Sequence, residues 1–299
     1  MNKEQKQIKI AFSCPWDIDS QQLLESFKLS TPNNDGIWEN LRGVGDIYDA
    51  DWIIGAENIS SAIDLKRINQ NKIILFEREP PWISTQNWDR HPTKYKFRHS
   101  SGDFYLLSGW SWNSTYQEML TYKWKKRDKK ICVIMSNKRM CAGHHHRLNF
   151  VKYFCNTNPG ILDVYGVGMG NEGLGEDYKG TSTFGDNKKL EWLQQYEYTL
   201  SLENGRGNGY FTEKLIDAFM AYTAPIYWGA PNIDKYFSPR FFYSLDILDP
   251  NAPDRLLDII SNTVSEDMID SIHASRMKVM TQYNWWPTIK KIIDIDGDL

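Results

Sequence analysis

The chain has no stretch approaching 18 uninterrupted apolar residues. A helix crossing a bilayer needs about that many, so no membrane-spanning segment is expected. The N-terminus, Met1-Asn2-Lys3-Glu4-Gln5-Lys6-Gln7, lacks the apolar core of a secretory signal. Cysteine is scarce: Cys14, Cys132, Cys141 and Cys155 are all there are, with no CxxC pair and no zinc spacing. Without an export signal they read as reduced, buried thiols, and the expected location is the cytoplasm. Neither sign of charge is in excess. The 35 basic and 38 acidic residues leave a net charge of −3, so no strong field steers the whole chain to nucleic acid. Internal repeats and low-complexity segments are absent.

What is present is an ordinary folded balance, 41% hydrophobic and 24% charged, which excludes wholesale disorder. The 299 residues suffice for two domains at about 150 each. Aromatic content is high, at 14%. Such rings fill cores and also make platforms for sugars and bases, and composition does not choose between these uses.

Apolar runs alternate with helical spacing along most of the chain. Strands are expected at 8–12, 52–55 and 72–76, with helices at 20–29 and 60–69. The third strand runs into Glu77-Arg78-Glu79-Pro80-Pro81, where prolines stop regular pairing. A weakly periodic, Trp-rich stretch over 82–122 follows, then the charged run KWKKRDKK at 123–130, read as a solvated connector. A second series has strands at 130–135, 161–166, 198–202, 224–228 and 241–245, and helices at 148–154, 188–196, 213–222 and within 251–281. The expected architecture is α/β: two Rossmann-like domains facing a cleft, with ligands outside the carboxyl ends of the strands. The boundaries expected are 1–125, 126–284 and a closing helix over 285–299 that packs on its own domain or back on the first.

The densest chemical signal is YTLSLENGRGNGYFTEKLIDAFMAYTAPIYWGAPNIDKYF, from Tyr198 to Phe237. A strand ends at Glu203-Asn204, a turn rich in glycine follows, and Thr212 is placed to cap a helix opening Glu213-Lys214. A helix N-terminus offers free N–H groups and partial positive charge. Lys214 adds a full cation, which suits a diphosphate, and Glu213 could accept hydrogen bonds from sugar hydroxyls. The plainer alternative is a pair of exposed first-turn residues.

The ordered set Glu203, Asn204, Tyr210, Thr212, Glu213, Lys214, Ala218, Pro225-Ile226-Tyr227-Trp228-Gly229 and Pro231 strongly resembles the α-1,3/4-fucosyltransferases, glycosyltransferase family 10, above all the bacterial ones. Further matches are Ser136-Asn137 at a strand end, Asp163-Val164-Tyr165-Gly166, and Glu79-Pro80-Pro81. The resemblance implies a GT-B fold and an inverting transfer of fucose from GDP-fucose to a glycan or glycoconjugate hydroxyl, in α-1,3 or α-1,4 linkage. By matching position it implies donor contacts at Lys214, Glu213, Asn204, Tyr210, Ser136, Asn137, Tyr165 and Gly166. It also implies a donor-binding arginine, Arg147 or Arg139, whose planar fork suits phosphate oxygens. An inverting attack needs a carboxylate to take the acceptor's proton. Glu79 is the candidate, and Glu77, two residues away in extended chain, points to the same side. No metal is required for this chemistry, although a non-essential divalent cation is compatible with it. The same resemblance leaves room for another GDP-linked sugar, or for a non-catalytic protein that binds glycans or nucleotide sugars.

Other motifs are read as bland. Asp49-Ala50-Asp51 has the D-x-D form but precedes a strand of the first domain, so surface acids are expected. His144-His145-His146 cannot converge on one ion, because consecutive helical residues point about 100° apart, and a loop is expected there. Gly166-Val167-Gly168-Met169-Gly170 lacks a full dinucleotide fingerprint. Trp16, Trp82 and Trp88 are candidates for stacking on acceptor sugars, with a core role as the alternative.

Overall fold

A computed structural model describes residues 6–77, 83, 93–98, 114–181 and 188–297. The chain divides into two compact units. One holds the described residues up to 98, 114–121 and 280–297; the other holds 122–181 and 188–279.

The first unit begins with β1 (Ile8–Ser13), whose last four residues are buried. Helix α1 (Ser20–Phe27) follows. It starts where it does because Asp19 and Gln22 form a reciprocal capping box, and it buries Leu23, Leu24 and Phe27. A short antiparallel pair, β2 (Ile37–Trp38) and β3 (Leu41–Gly43), precedes β4 (Trp52–Ala56), β5 (Ile73–Glu77) and β6 (Tyr95–Arg98). The order is β2-β3-β1-β4-β5-β6, parallel except for the first pair. Both faces of β4 and β5 are buried, which explains their continuous apolar runs.

Between β4 and β5 the expected helix over 60–69 does not form. Two 3-10 turns stand there, Leu65–Arg67 and Gln70–Lys72. The cause is local: Asp64 and Asn69 accept bonds from the backbone N–H groups of Lys66 and Asn71, an alternative to helical pairing. Asp49 and Asp51 are also structural, Asp49 pairing with the Lys9 ammonium and Asp51 accepting from the Lys9 backbone, both at 2.8 Å.

Helix α2 (Tyr116–Thr121) belongs to this unit, and the second unit follows. It contains β7 (Lys129–Ile134), α3 (Ala142–Thr157), β8 (Asp163–Tyr165), β9 (Tyr178–Gly180) and α4 (Lys188–Leu193). Then come β10 (Tyr196–Leu202), α5 (Glu213–Met220), β11 (Ala224–Trp228), β12 (Tyr243–Ser244), α6 (Ala252–Ser261) and α7 (Glu266–Lys278). The sheet is wholly parallel, in the order β12-β11-β10-β7-β8-β9. The α/β expectation of two parallel-sheet domains therefore holds.

Two local expectations change. The charged run 123–130 is not wholly solvated: Arg127 is buried and its guanidinium donates to the Ala221 carbonyl at 2.8 Å and to the Tyr122 hydroxyl at 3.0 Å. The three histidines lie within α3, not in a loop, because Cys141 ends the extended segment and the helix starts one residue later.

The last helix, α8 (Trp285–Gly297), completes the first unit. Trp286 is fully buried and its indole N–H donates to the Phe27 carbonyl at 2.9 Å. Trp285 lies 4.6 Å from the Phe27 ring, and both tryptophans meet Phe12 edge-on. Part of the unusual aromatic content is thus core. By contrast Trp16 is half exposed, and Trp82, Trp88, Trp110 and Trp112 lie outside the described residues. Among the described residues no helix is long and apolar enough to cross a membrane.

Candidate functional site

Parallel pairing brings the carboxyl ends of β11, β10, β7 and β8 side by side, and with them the segments singled out from sequence. The centre is Glu203, just past β10 and fully buried. Its carboxylate accepts from the Thr212 backbone N–H and from the Thr212 hydroxyl, each at 2.7 Å. Thr212 in turn caps α5 by accepting from the Lys214 N–H. Glu203 is therefore a tether: it pins the start of α5 to the end of the central strand. Burial pushes the Glu203 carboxyl up, the Lys214 ammonium 3.7 Å away pulls it back, and Glu213 adds to the rise.

Lys214 lies 3.1 Å from both the Thr212 hydroxyl and the Glu213 carboxylate. The Glu213 side chain is half exposed while that of Lys214 is mostly covered. Arg147 reaches the same place from α3. It is 2% exposed, donates to the Leu202 carbonyl at 3.3 Å, and leaves its Nε buried with no hydrogen-bond partner. Burial disfavours the guanidinium charge, and Glu203 and then Glu213 oppose that effect. Asn204 presents a second such atom, its Oδ1. Two buried polar atoms without partners beside a cation pair make an incomplete polar site, since such groups ordinarily find partners.

The two candidate arginines are separated. The Arg139 Nη2 donates to both carboxylate oxygens of Glu172 at 2.6 and 2.8 Å, and Lys152 and the Asn137 amide complete that cluster at 3.1 Å each. Arg147 alone stands with Glu203, Glu213 and Lys214. Close approach of α3 to the strand end depends on Gly143: a Cβ there would lie 2.0 Å from the Asn204 carbonyl oxygen. Gly166 performs the same service after β8, where a Cβ would lie 1.8 Å from the Met135 carbonyl.

Other expected contacts fall differently. Ser136 follows β7 at the same edge and is partly exposed. Tyr210 is buried, its carbonyl accepting from the Tyr227 hydroxyl at 3.4 Å. Tyr165 points into the unit, stacked on Trp192 at 4.3 Å and hydrogen-bonded to the Tyr196 hydroxyl at 2.8 Å. Trp228 packs beneath the strand ends, its indole N–H 3.2 Å from Asp246. Glu77 is buried at the end of β5, and Glu79 lies outside the described residues.

Two further residues stand at this edge, one from the histidine run and one, Lys189, that the sequence did not single out. His144 is buried one turn before Arg147, with Nδ1 3.1 Å from the Cys141 sulfur. Burial, then Arg147, Lys138 and Lys214, lower its pKa to about 4, so the ring is neutral near pH 7. Lys189 on α4 pairs with the buried Asp217 of α5 at 2.5 Å. Its relation to the site depends on packing between helices, which spacing in the chain does not record. Among the described residues, no cluster of three or more His, Cys, Asp or Glu is arranged to hold a metal ion.

Chemically, the edge offers a covered lysine, a buried arginine with spare donor capacity and a capped helix N-terminus, all suited to phosphate oxygens. An exposed carboxylate stands beside them.

Comparison with known proteins agrees with this chemistry. Residues 124–269 match the family model for glycosyltransferase family 10 (fucosyltransferase), C-terminal part. An α-(1,3)-fucosyltransferase from Helicobacter pylori is 42% identical over 71 residues, 24% of this chain and 15% of that protein. A GDP-fucose protein O-fucosyltransferase 3 from Danio rerio is 30% identical over 96 residues, 32% of this chain and 20% of that protein. The matched segments thus span a fifth or less of these relatives. An α-glucosyltransferase solved with UDP-glucose and DNA superposes with a TM-score of 0.56 at 9% identity, covering 97% of this chain and 99% of its own, and shares the fold. Over residues 124–269 the chain is thus similar to the C-terminal part of glycosyltransferase family 10.

Proposed function

We propose that the protein is an inverting fucosyltransferase that moves fucose from GDP-fucose to a hydroxyl of a glycan acceptor, in α-1,3 or α-1,4 linkage. The observation carrying this reading is the convergence of Lys214 and Arg147 on the end of β10, with the Arg147 Nε buried and unpartnered. In this reading the donor diphosphate takes up that spare donor capacity. Lys214, Arg147 and the N-terminus of α5 then stabilise the charge that builds on the leaving GDP.

Glu213 accepts hydrogen bonds from fucose hydroxyls. Asn204, Tyr210, Ser136, Asn137 and Gly166 shape the surrounding donor surface, with Tyr165 contributing through its backbone because its ring is engaged elsewhere. The acceptor hydroxyl attacks the anomeric carbon from the face opposite GDP. Glu79 takes its proton, with Glu77 as the rival base. Arg147, rather than Arg139, is the donor arginine, because Arg139 is committed to Glu172.

The test is a thermal-shift panel of nucleotide sugars followed by an acceptor screen with GDP-fucose. GDP-fucose at 100 times its Kd should add about 2.7 kcal/mol of stability and should outperform UDP-sugars. No shift with any GDP-sugar at saturating concentration would end this reading.

A further inference from the structure

Of the three consecutive histidines only His144 is buried, and the reaction just proposed does not use it. It sits in the first turn of α3, which lies along the segment that follows β10. The Cys141 sulfur is 3.2 Å from the Asn204 carbonyl oxygen, and a Cβ on Gly143 would lie 2.0 Å from the same oxygen. Arg147 donates to the Leu202 carbonyl at 3.3 Å. His144 precedes Arg147 by three residues, so the two side chains are neighbours on one helical face. Glu203, between the two carbonyls, pins the start of α5 and with it Lys214.

Hydrogen bonding fixes which ring nitrogen carries the proton. A carbonyl oxygen cannot donate, so the contact between Cys141 and Asn204 uses the single thiol proton. The sulfur is then an acceptor towards His144, whose Nδ1 lies 3.1 Å away. Nδ1 therefore carries the ring proton, and Nε2 is left with a bare lone pair on a neutral imidazole. Among the described residues Nε2 has no hydrogen-bond partner, whereas the polar atoms of a histidine packed in a core ordinarily find partners. The Arg147 Nε and the Asn204 Oδ1, both buried without partners, belong to the same patch. A phosphate oxygen has nothing to donate to a lone pair; a hydroxyl has.

We propose that His144 is a binding residue for the nucleotide sugar: its Nε2 accepts a hydrogen bond from a hydroxyl of GDP-fucose, on the ribose or on the fucose, and Cys141 holds the ring in the tautomer this requires. This rests on the donor-site reading above. It divides the site by chemistry. Arg147 and Lys214 donate to phosphate, His144 accepts from a hydroxyl, and all three are held at the end of β10.

The experiment compares the full wild-type chain with His144→Phe, which keeps a ring and removes both nitrogens, and His144→Gln, which returns an amide acceptor. Calorimetry gives the affinities for GDP-fucose and for GDP. Nitrogen NMR of labelled histidine follows the His144 ring, assigned by its absence from the His144→Gln spectrum. In His144→Phe the GDP-fucose affinity should fall about tenfold, the size of one lost hydrogen bond whose hydroxyl is left unpaired. His144→Gln should regain most of it. A loss shared by GDP places the hydroxyl on the ribose, and a loss confined to GDP-fucose places it on the fucose. In the wild type Nε2 should be the unprotonated nitrogen, and its resonance should move when GDP-fucose binds. An unchanged Nε2 resonance at saturation, or a folded His144→Phe that binds both ligands as the wild type does, overturns the proposal and leaves His144 a packing residue. The NMR measurement on the wild type decides the matter if His144→Phe does not fold. A wild type that binds no GDP-fucose overturns the donor-site reading itself, and the His144 proposal falls with it.

Discussion

Arg147 reaches across from α3 to the carbonyl of Leu202, the last residue of the central strand, at 3.3 Å. This bond uses Nη1, and the buried Nε remains without a partner. Lysine can supply the charge at this position but not the fork. Arg147→Lys should therefore keep the fold while weakening GDP-fucose binding on the order of 10-fold or more. Calorimetry decides it, and Arg139→Lys, which touches the Glu172 cluster instead, should bind donor nearly as the wild type does.

Lys214 should matter more to catalysis than to folding, because in the proposed reaction its ammonium stands where charge on the leaving diphosphate develops. Lys214→Met is expected to lower kcat on the order of 10²-fold. Steady-state kinetics in excess EDTA serves as a paired control: turnover of the wild type should persist there, since in the proposed reaction Lys214 and Arg147 supply the charge stabilisation.

The base assignment is testable by separating binding from chemistry. Glu79→Gln should bind GDP-fucose normally and lose transfer by about 10²-fold or more. Glu77→Gln should retain transfer. The reverse pattern would place the base on Glu77, whose side chain is buried at the end of β5.

Gly143 sets how closely α3 approaches β10. A methyl group there would sit 2.0 Å from the Asn204 carbonyl oxygen and 2.4 Å from its carbon, so backbone has to move. Gly143→Ala should destabilise the protein by about 1–3 kcal/mol. It should also raise the donor KM, because Arg147 rides on the same helix. Chemical denaturation and donor kinetics measure the two effects separately.

Acid should act through Glu172. Arg139 holds its carboxyl down to about 2; burial opposes this, and Lys152 and Asn137 reinforce it. An unfolded glutamate titrates near 4.3. The folded state is therefore favoured by ionisation of Glu172 at neutral pH, and that contribution fades as pH falls from about 4 toward about 2. Glu172→Gln should lower stability at pH 7 and flatten the acid limb of a stability–pH curve obtained from urea titrations.

Much of the fold was legible in the chain because strands buried on both faces must be continuously apolar. The segment 224–228 was placed to the residue, and β1, β4, β5 and β10 within a residue or two. The failures have local causes. At 60–69 the Asp64 and Asn69 side chains captured backbone N–H groups that a helix would have used. At 144–146 the helix began earlier than the apolar spacing of 148–154 suggested, since polar residues can fill a first turn.

For the site, the amino-acid sequence by itself determined the chemistry. The ordered residues from Glu203 to Pro231 marked a strand, a turn, a capped helix and a cation. Tertiary structure alone decided which partners that cation keeps. Arg147 is the sequence's candidate and Arg139, eight residues before it, the rival; α3 carries Arg147 inward to the end of β10, while Arg139, ahead of that helix, pairs with Glu172. Lys189 gave no signal, because an ion pair between α4 and α5 arises from packing across 28 residues of chain. Local pattern reports what each residue can do, and only the folded chain brings distant charges within a few ångströms, where Coulomb interactions become strong enough to matter.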